Sequence, residues 1–422
     1  MRRRRALSVG ALLLSVALVG VGAGTAQASE PVTSPRPSLE LPAPPVLGQP
    51  TRPDQDSFYR PPSDLDRGEP GDLIRSRVSH VRASVLPAPV RAWQVLYRST
   101  SARDESNAVS GTVMVPGTPW LGSGPRPIVT YTIGTHGLGD QCAPSYQLAS
   151  GTDVEFTLMS QALAAGWAVV VTDYEGLGTP GNHTYVVQRS EGRAALDIVR
   201  AATELRDAGL SRNAPVGIWG YSQGGGAAAS AAEQAEDYAS DLKVVGVAEG
   251  GVPADLRAVG RNLDNKPSFG LLAAAAAGID AGYPDLDIYH DLLNDKGRKL
   301  IDRVRTECTE ELAGEGTHRL NEFTTVDDPL DYPPLVRKLE VNRIGAQAPR
   351  VPVRLYQAGA DELIPVDVAH KLRDEYCGRG VRVQYTEIPA ANHVAGALSG
   401  GPGSVAWLAE RFAGHPAPNS CG

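Results

Sequence analysis

Apolar and polar residues alternate from Ala92 to Tyr97 and again from Ala108 to Val115. Such alternation predicts two antiparallel strands. Downstream, short strand-like runs recur at Pro127 to Thr132, Val216 to Trp219, Val244 to Ala248, Val353 to Tyr356 and Val381 to Tyr385. Ala168 to Thr172 is continuously apolar up to its final threonine, as expected of a strand buried on both faces. Val154 to Ala165 and Gly192 to Ala208 carry helical spacing, and an Ala-rich helix follows Trp219. Strands that alternate with helices predict an α/β fold with a mostly parallel sheet and helices on both faces.

The alternation stops between Val252 and Pro349, where helical patterns mix with Pro-containing loops. This stretch, residues 252–349, reads as a helical cap or lid inserted into a core of residues 71–251 and 350–422. Its most apolar patch is Leu271 to Ala277. That patch is read as buried, with transient contact with a lipid interface as the other reading. No internal repeat is apparent.

The N-terminus has a different character. Arg2 to Arg5, an apolar stretch from Ala11 to Val21 and Ala26-Gln27-Ala28 make a secretory signal peptide over residues 1–28, cleaved before Ser29. Residues 29–70 follow as a Pro-rich, partly disordered leader, settling against the domain near Phe58-Tyr59; they hold 11 of the chain's 33 prolines. No later run reaches the length of a membrane span, so no permanent anchor is expected. The 422 residues are 42% hydrophobic and carry a formal charge of −8, and losing Arg2 to Arg5 makes the mature chain more acidic still. That balance argues against a nucleic-acid partner. Cys142, Cys308, Cys377 and Cys421 form no CxxC pair, so neither a zinc site nor a redox motif is indicated. An even number in an exported chain favours disulfides. Of the three pairings we prefer Cys142–Cys308 with Cys377–Cys421, the second tying the tail to the core. The expected location is extracellular.

The chemistry concentrates at Gly220-Tyr221-Ser222-Gln223-Gly224, a G-x-S-x-G between a strand and a small-residue helix. Strand, sharp turn and helix are the setting of a nucleophile elbow, whose flanking glycines let strand and helix approach. A serine hydroxyl needs a base, and in this arrangement the partners follow in the order serine, acid, histidine. Asp361 follows the strand that ends near Tyr356, with Glu362 as the rival acid. His393 follows the last strand, ahead of a helix expected from about Ser404. The oxyanion hole needs two backbone donors. Gln223 supplies one, and the loop Gly134 to Gly139 the other, through His136 or Gly137.

Six separated motifs occur in order: Phe58-Tyr59-Arg60-Pro61-Pro62, Leu96-Tyr97-Arg98-Ser99-Thr100, Cys142-Ala143-Pro144-Ser145, Asp173-Tyr174-Glu175-Gly176-Leu177-Gly178, Gly220-Tyr221-Ser222-Gln223-Gly224-Gly225 and Gly250-Gly251-Val252-Pro253-Ala254-Asp255-Leu256. Together they resemble the secretory lipase family of α/β-hydrolases, the yeast lipase A type with many actinobacterial relatives. The resemblance implies a hydrolase of triacylglycerols or other carboxylic esters, with a helical cap over the serine and the same two disulfides. It says nothing of the Pro-rich leader.

Other motifs fall away. Gly176-Leu177-Gly178-Thr179-Pro180-Gly181 spells G-x-G-x-x-G, but Pro180 and Gly181 stop a helix from opening there, so it reads as a turn. The eight histidines show no metal spacing. Neither cofactor nor metal is expected. The sequence therefore predicts a secreted serine hydrolase acting on small-molecule or lipid esters through Ser222, Asp361 and His393. The alternatives are an exported serine peptidase of the same fold and a non-catalytic relative that binds apolar ligands.

Overall fold

The apolar runs do pair. The computed structural model describes residues 48–83 and 86–422, the last stretch with backbone alone at residues 86 and 87. The expected signal peptide, residues 1–28, and the leader as far as residue 47 lie outside the described residues. In chain order the strands are β1 (Leu73–Ser79), β2 (Arg82–Ala83), β3 (Leu86–Pro87), β4 (Val90–Thr100), β5 (Ser106–Pro116), β6 (Ile128–Thr132), β7 (Ala168–Thr172), β8 (Pro215–Tyr221), β9 (Lys243–Gly250), β10 (Val353–Ala358) and β11 (Val383–Ile388). Nine of them form one sheet in the order β1-β4-β5-β7-β6-β8-β9-β10-β11, and β2 and β3 make a separate ribbon. The pairs from β7 through β11 are parallel, while β1, β4 and β5 add an antiparallel end.

The helices are α1 (Pro144–Ser150), α2 (Phe156–Ala164), α3 (Gln188–Glu204), α4 (Gln223–Tyr238), α5 (Leu256–Leu263), α6 (Phe269–Gly282), α7 (Asp295–Val304), α8 (Thr309–Ala313), α9 (Pro333–Val341), α10 (Val366–Gly378) and α11 (His393–Phe412). Helices α3, α4 and α10 pack on one face of the sheet, α2 and α11 on the other. On the first face Ala228, Ala231, Val247 and Leu355 are fully buried together. On the second, Val129, Val171, Trp219 and Leu408 are. A Val, Ile or Leu so buried contributes about 1.5–3 kcal/mol each. The connection from β9 to β10 carries α5 to α9. It packs into the same apolar cluster as α4 and β10, and Gln49–Gly422 forms one unit. Phe58 and Tyr59 are buried against Leu96 and Ala108.

The chain passes from β6 to β7 on one side and then to β8 on the other. That reversal opens a crevice at the carboxyl ends of β6 and β8, where open α/β sheets bind their ligands.

The elements that differ most from expectation are β1 and α11. The edge strand β1, Leu-Ile-Arg-Ser-Arg-Val-Ser, was not foreseen. Helix α11 starts at His393, with Asn392 accepting from the Ala395 N–H, rather than near Ser404. Gly396, Gly400, Gly401, Gly403 and Pro402 spell helix breakers in sequence. Here the glycines serve packing instead. A Cβ on Gly396 would lie 2.4 Å from the Tyr221 hydroxyl, and one on Gly400 would lie 2.2 Å from the Tyr356 ring.

Candidate active site

Ser222 sits between β8 and α4 with φ 63° and ψ −128°, a conformation that L-residues adopt only under constraint. The constraint is visible in its neighbours. A Cβ on Gly220 would fall 2.1 Å from Thr132 Oγ1, and one on Gly224 would fall 2.0 Å from the Thr132 carbonyl. No larger residue fits, so the strand and helix close on each other and lift Ser222 above the sheet edge. The first turn of α4 points its positive end at the same place.

The three residues nominated from sequence meet. His393 Nε2 is 2.8 Å from Ser222 Oγ. On its other side, Nδ1 is 2.8 Å and 2.9 Å from the two carboxylate oxygens of Asp361. The Asp361 side chain is fully buried and that of His393 nearly so. Asp361 is itself held, by the N–H groups of Leu363 at 3.0 Å and Ile364 at 2.9 Å and by Gln357 Nε2 at 2.9 Å. Glu362, the rival acid, stays off the imidazole ring and accepts from the His393 backbone N–H at 3.0 Å.

Gln223 opens α4 directly after the serine. In the loop after β6, Thr135 lines the cavity beside Ser222 and Gln223, while His136 and Gly137, nominated for a backbone N–H, are not among the lining residues. Gly137 pairs with Cys308 in an antiparallel bridge. The buried His136 ring directs Nδ1 to the Gly134 carbonyl at 3.0 Å and Nε2 to Asp153 at 3.3 Å. Burial alone would lower its pKa, but the Asp153 and Glu155 carboxylates override that and raise it to about 9. Glu155 also accepts from the Gly134 N–H at 2.9 Å and from the Tyr131 hydroxyl at 2.6 Å. A buried ion cluster thus grips the peptides on either side of Gly134, the residue before Thr135. Thr135 Oγ1 meets the Tyr185 hydroxyl at 2.8 Å, and its carbonyl accepts from Thr309 Oγ1 at 2.7 Å.

Sequence reading missed Thr135, Asp153, Glu155, His183, Tyr185 and Glu191. Each is an ordinary polar residue whose partners lie elsewhere in the chain. The G-x-G-x-x-G segment is a turn: Gly176, Gly178 and Gly181 all have positive φ, and the next helix begins at Gln188. Among the described residues no cluster suits a metal ion. The disulfides are Cys142–Cys308 and Cys377–Cys421, as preferred. The first joins the loop after β6 to the helical connection.

Ser222 opens onto a cavity of about 130 Å³ with almost wholly apolar walls. Leu263, Phe269, Leu272, Ile301 and Leu330 are among its lining residues, all from the connection between β9 and β10. In the Leu271 to Ala277 patch, Leu272, Ala273, Ala274 and Ala277 are buried, while Leu271, Ala275 and Ala276 reach the cavity half-exposed. A hydroxyl hydrogen-bonded to an imidazole beside an apolar cavity is suited to attack a carbonyl whose substituent is a hydrocarbon chain.

Comparison with known proteins points the same way. A family model described as secretory lipase matches residues 143–420. A protein of Mycobacterium tuberculosis named probable inactive lipase MT1628 is 34% identical over 381 residues, covering 87% of this chain and 84% of its own length. Lipase 10 of Candida albicans is 29% identical, covering 88% of this chain and 83% of its own. Among solved structures, Candida antarctica lipase A in its closed state is similar with a TM-score of 0.80 and 25% identity, covering 87% of this chain and 88% of its own. The rice cell wall degrading esterase LipA of Xanthomonas oryzae shares the fold, with a TM-score of 0.66 at 20% identity, covering 83% of this chain and 100% of its own.

Proposed function

Because the chain belongs to the secretory lipase family, we propose that it is an exported serine hydrolase that cleaves carboxylic esters of lipid acyl chains, triacylglycerols among them. The observation that carries the reading is the hydrogen-bonded row from Ser222 through His393 to Asp361 at the floor of an apolar cavity. His393 Nε2 takes the Ser222 proton as Oγ attacks the acyl carbonyl carbon. Asp361 holds the ring and stabilises the imidazolium. The oxyanion receives the Gln223 N–H and a donor from the loop after β6, where Thr135 lines the cavity beside Ser222. One such donor is worth roughly 10²–10³ in rate. The C–O bond then breaks, His393 returns the proton to the departing alcohol, and an acyl-serine remains. Water, deprotonated by His393, attacks that ester and frees the acid.

Residues 252–349 act as a cap in this reading, since they supply the apolar walls and bury the acyl chain. Two disulfides and the N-terminal signal sequence support export. A second reading has one observation in its favour: the mycobacterial relative is named inactive. It would make this chain a binder of apolar ligands with an idle serine. Against it stands the complete row, each member within 3 Å of the next.

The test is hydrolysis of a p-nitrophenyl ester series by the wild type and by Ser222→Ala. The variant is expected to stay folded and lose ~10⁴ to 10⁶ of turnover. Near-normal turnover by Ser222→Ala removes the assignment. A wild type that is inert to esters and to a fluorophosphonate probe favours the binder, and turnover of peptide substrates alone favours a peptidase.

A further inference from the structure

Away from the reacting row, one buried carboxyl bonds to Gln223 on one side and to the Val186 N–H, next to Tyr185, on the other. Glu191 lies in the first turn of α3 and is fully buried. Its Oε1 accepts from Gln223 Nε2 at 2.7 Å and from the Val186 backbone N–H at 3.0 Å. The same Gln223 amide donates its second hydrogen to His183 Nε2 at 3.2 Å. His183 passes Nδ1–H to the Glu175 carbonyl at 3.0 Å, and burial holds its pKa down to about 4, so the ring is neutral and Nε2 is free to accept. Both amide hydrogens of Gln223 are therefore committed, and the residue that opens α4 has no freedom to turn.

The other bond to Glu191 holds strained backbone. Val186 has φ 56°, an unusual conformation for a β-branched residue. Its N–H bond fixes the adjoining Tyr185, whose hydroxyl meets Thr135 Oγ1 across the cavity wall. One oxygen thus links the Gln223 wall to the Tyr185–Thr135 wall.

We propose that Glu191 is a positioning residue for ester hydrolysis, setting the spacing of the two oxyanion walls through Gln223 on one side and Val186–Tyr185 on the other. The inference rests on the serine-hydrolase reading above. Burial pushes the Glu191 carboxyl up to about 8, so at neutral pH it is an uncharged acid and places no negative charge beside the developing oxyanion. An apolar side chain could fill the same space without the cost of burying a carboxyl. What it could not do is accept two hydrogen bonds at one point.

The experiment compares Glu191→Ala, Glu191→Gln and Gln223→Ala with the wild type and with Ser222→Ala. It measures kcat and KM on one p-nitrophenyl ester and inhibition by an alkylboronic acid, whose tetrahedral adduct puts an oxygen in the oxyanion site. Glu191→Ala is expected to lose ~10²-fold in kcat with KM within about threefold, since misplacement of this kind acts on the transition state. Boronic acid affinity falls in step. Glu191→Gln keeps an acceptor oxygen and recovers most of the rate. Gln223→Ala cuts the same link from the other side and loses kcat in the same manner, which keeps the test decisive if Glu191→Ala does not fold. Wild-type kcat in Glu191→Ala or Gln223→Ala, or lost kcat with unchanged boronic acid affinity, overturns the proposal provided Ser222→Ala is dead. An active Ser222→Ala instead brings down the catalytic reading beneath it.

Discussion

The described residues include two buried histidine–aspartate pairs, and their surroundings are opposite. His393 meets Asp361 at 2.8 Å, and His136 meets Asp153 at 3.3 Å. Both rings are nearly inaccessible to solvent. The difference lies in the second nitrogen. In His393 it faces a serine hydroxyl at the floor of a cavity, so a lone pair is available to accept a proton. In His136 it points at the Gly134 carbonyl, which can only accept, so both ring nitrogens carry hydrogen and the ring is a fixed cation. A carboxylate beside an imidazole therefore says little by itself. What the far nitrogen touches decides between a base and a brace.

Removing each ring separates the two roles most sharply. His393→Ala is expected to lose ~10⁴ to 10⁶ of turnover, the range seen when triad members that act as a unit are removed. Its stability should change little. His136→Ala should do the reverse. It strands Asp153 and Glu155 as buried carboxylates without their cation, a change that costs about 3–5 kcal/mol. Folded His136→Ala should keep turnover within about tenfold, because Thr135 retains its other contacts. Ester assays and urea unfolding on the two variants check this. Equal losses of activity in both would erase the distinction.

The fixed cation has a pH signature of smaller size. His136 has its pKa raised from 6.5 to about 9, with burial opposing the rise and Asp153 driving it. A raised histidine adds stability that is complete below the unfolded value, 6.5, and is lost as pH climbs through about 9. The amount is on the order of 3 kcal/mol. Unfolding midpoints of the wild type and His136→Gln from pH 6 to pH 10 should converge as alkalinity rises. A constant gap between the two curves would mean that the ring is not charged in the native state.

Sequence reading reached the role of the His393 ring and not that of the His136 ring for a physical reason. The elbow at Ser222 is local: one strand, one turn and four small residues specify it. Asp361 and His393 follow from strand order, because each stands after a run of strand residues near the sheet's carboxyl edge. His136 was singled out too, but for its backbone N–H, and a loop of Gly-Thr-His-Gly-Leu-Gly gives no means of choosing which peptide faces the serine. Its partners Asp153 and Glu155 lie beyond α1 and share no pattern with it. Glu191 reads as an ordinary acid in a helix's first turn until the fold places Gln223 against it. The start of α11 was obscured by residues whose local preference and tertiary role disagree: glycines that break isolated helices here admit the Tyr221 and Tyr356 rings. The strand β1 is an edge strand whose Arg and Ser positions dilute any hydrophobic signal.

The finest distinction concerns two adjacent acids. Asp361 and Glu362 are neighbours in sequence, and both bond to His393, one at the ring and one at the backbone. The Asp361 side chain is buried and braced by donors from Gln357, Leu363, Ile364 and Tyr221, whereas Glu362 is exposed at the start of α11. Replacing Asp361 with Asn keeps the shape but turns an N–H toward the ring nitrogen, so the imidazole adopts the wrong tautomer. Turnover should fall by ~10⁴. Glu362→Gln keeps an acceptor for the His393 N–H and forfeits only the charge at a helix N-terminus, about 0.3–1 kcal/mol of stability. Its turnover should stay within about threefold, because the ring still answers to Asp361 alone. Kinetics of the two variants, paired with thermal unfolding, read both effects. Should Glu362→Gln prove the crippled enzyme and Asp361→Asn the healthy one, the orienting carboxylate is the exposed acid, and burial has not selected the partner of the base.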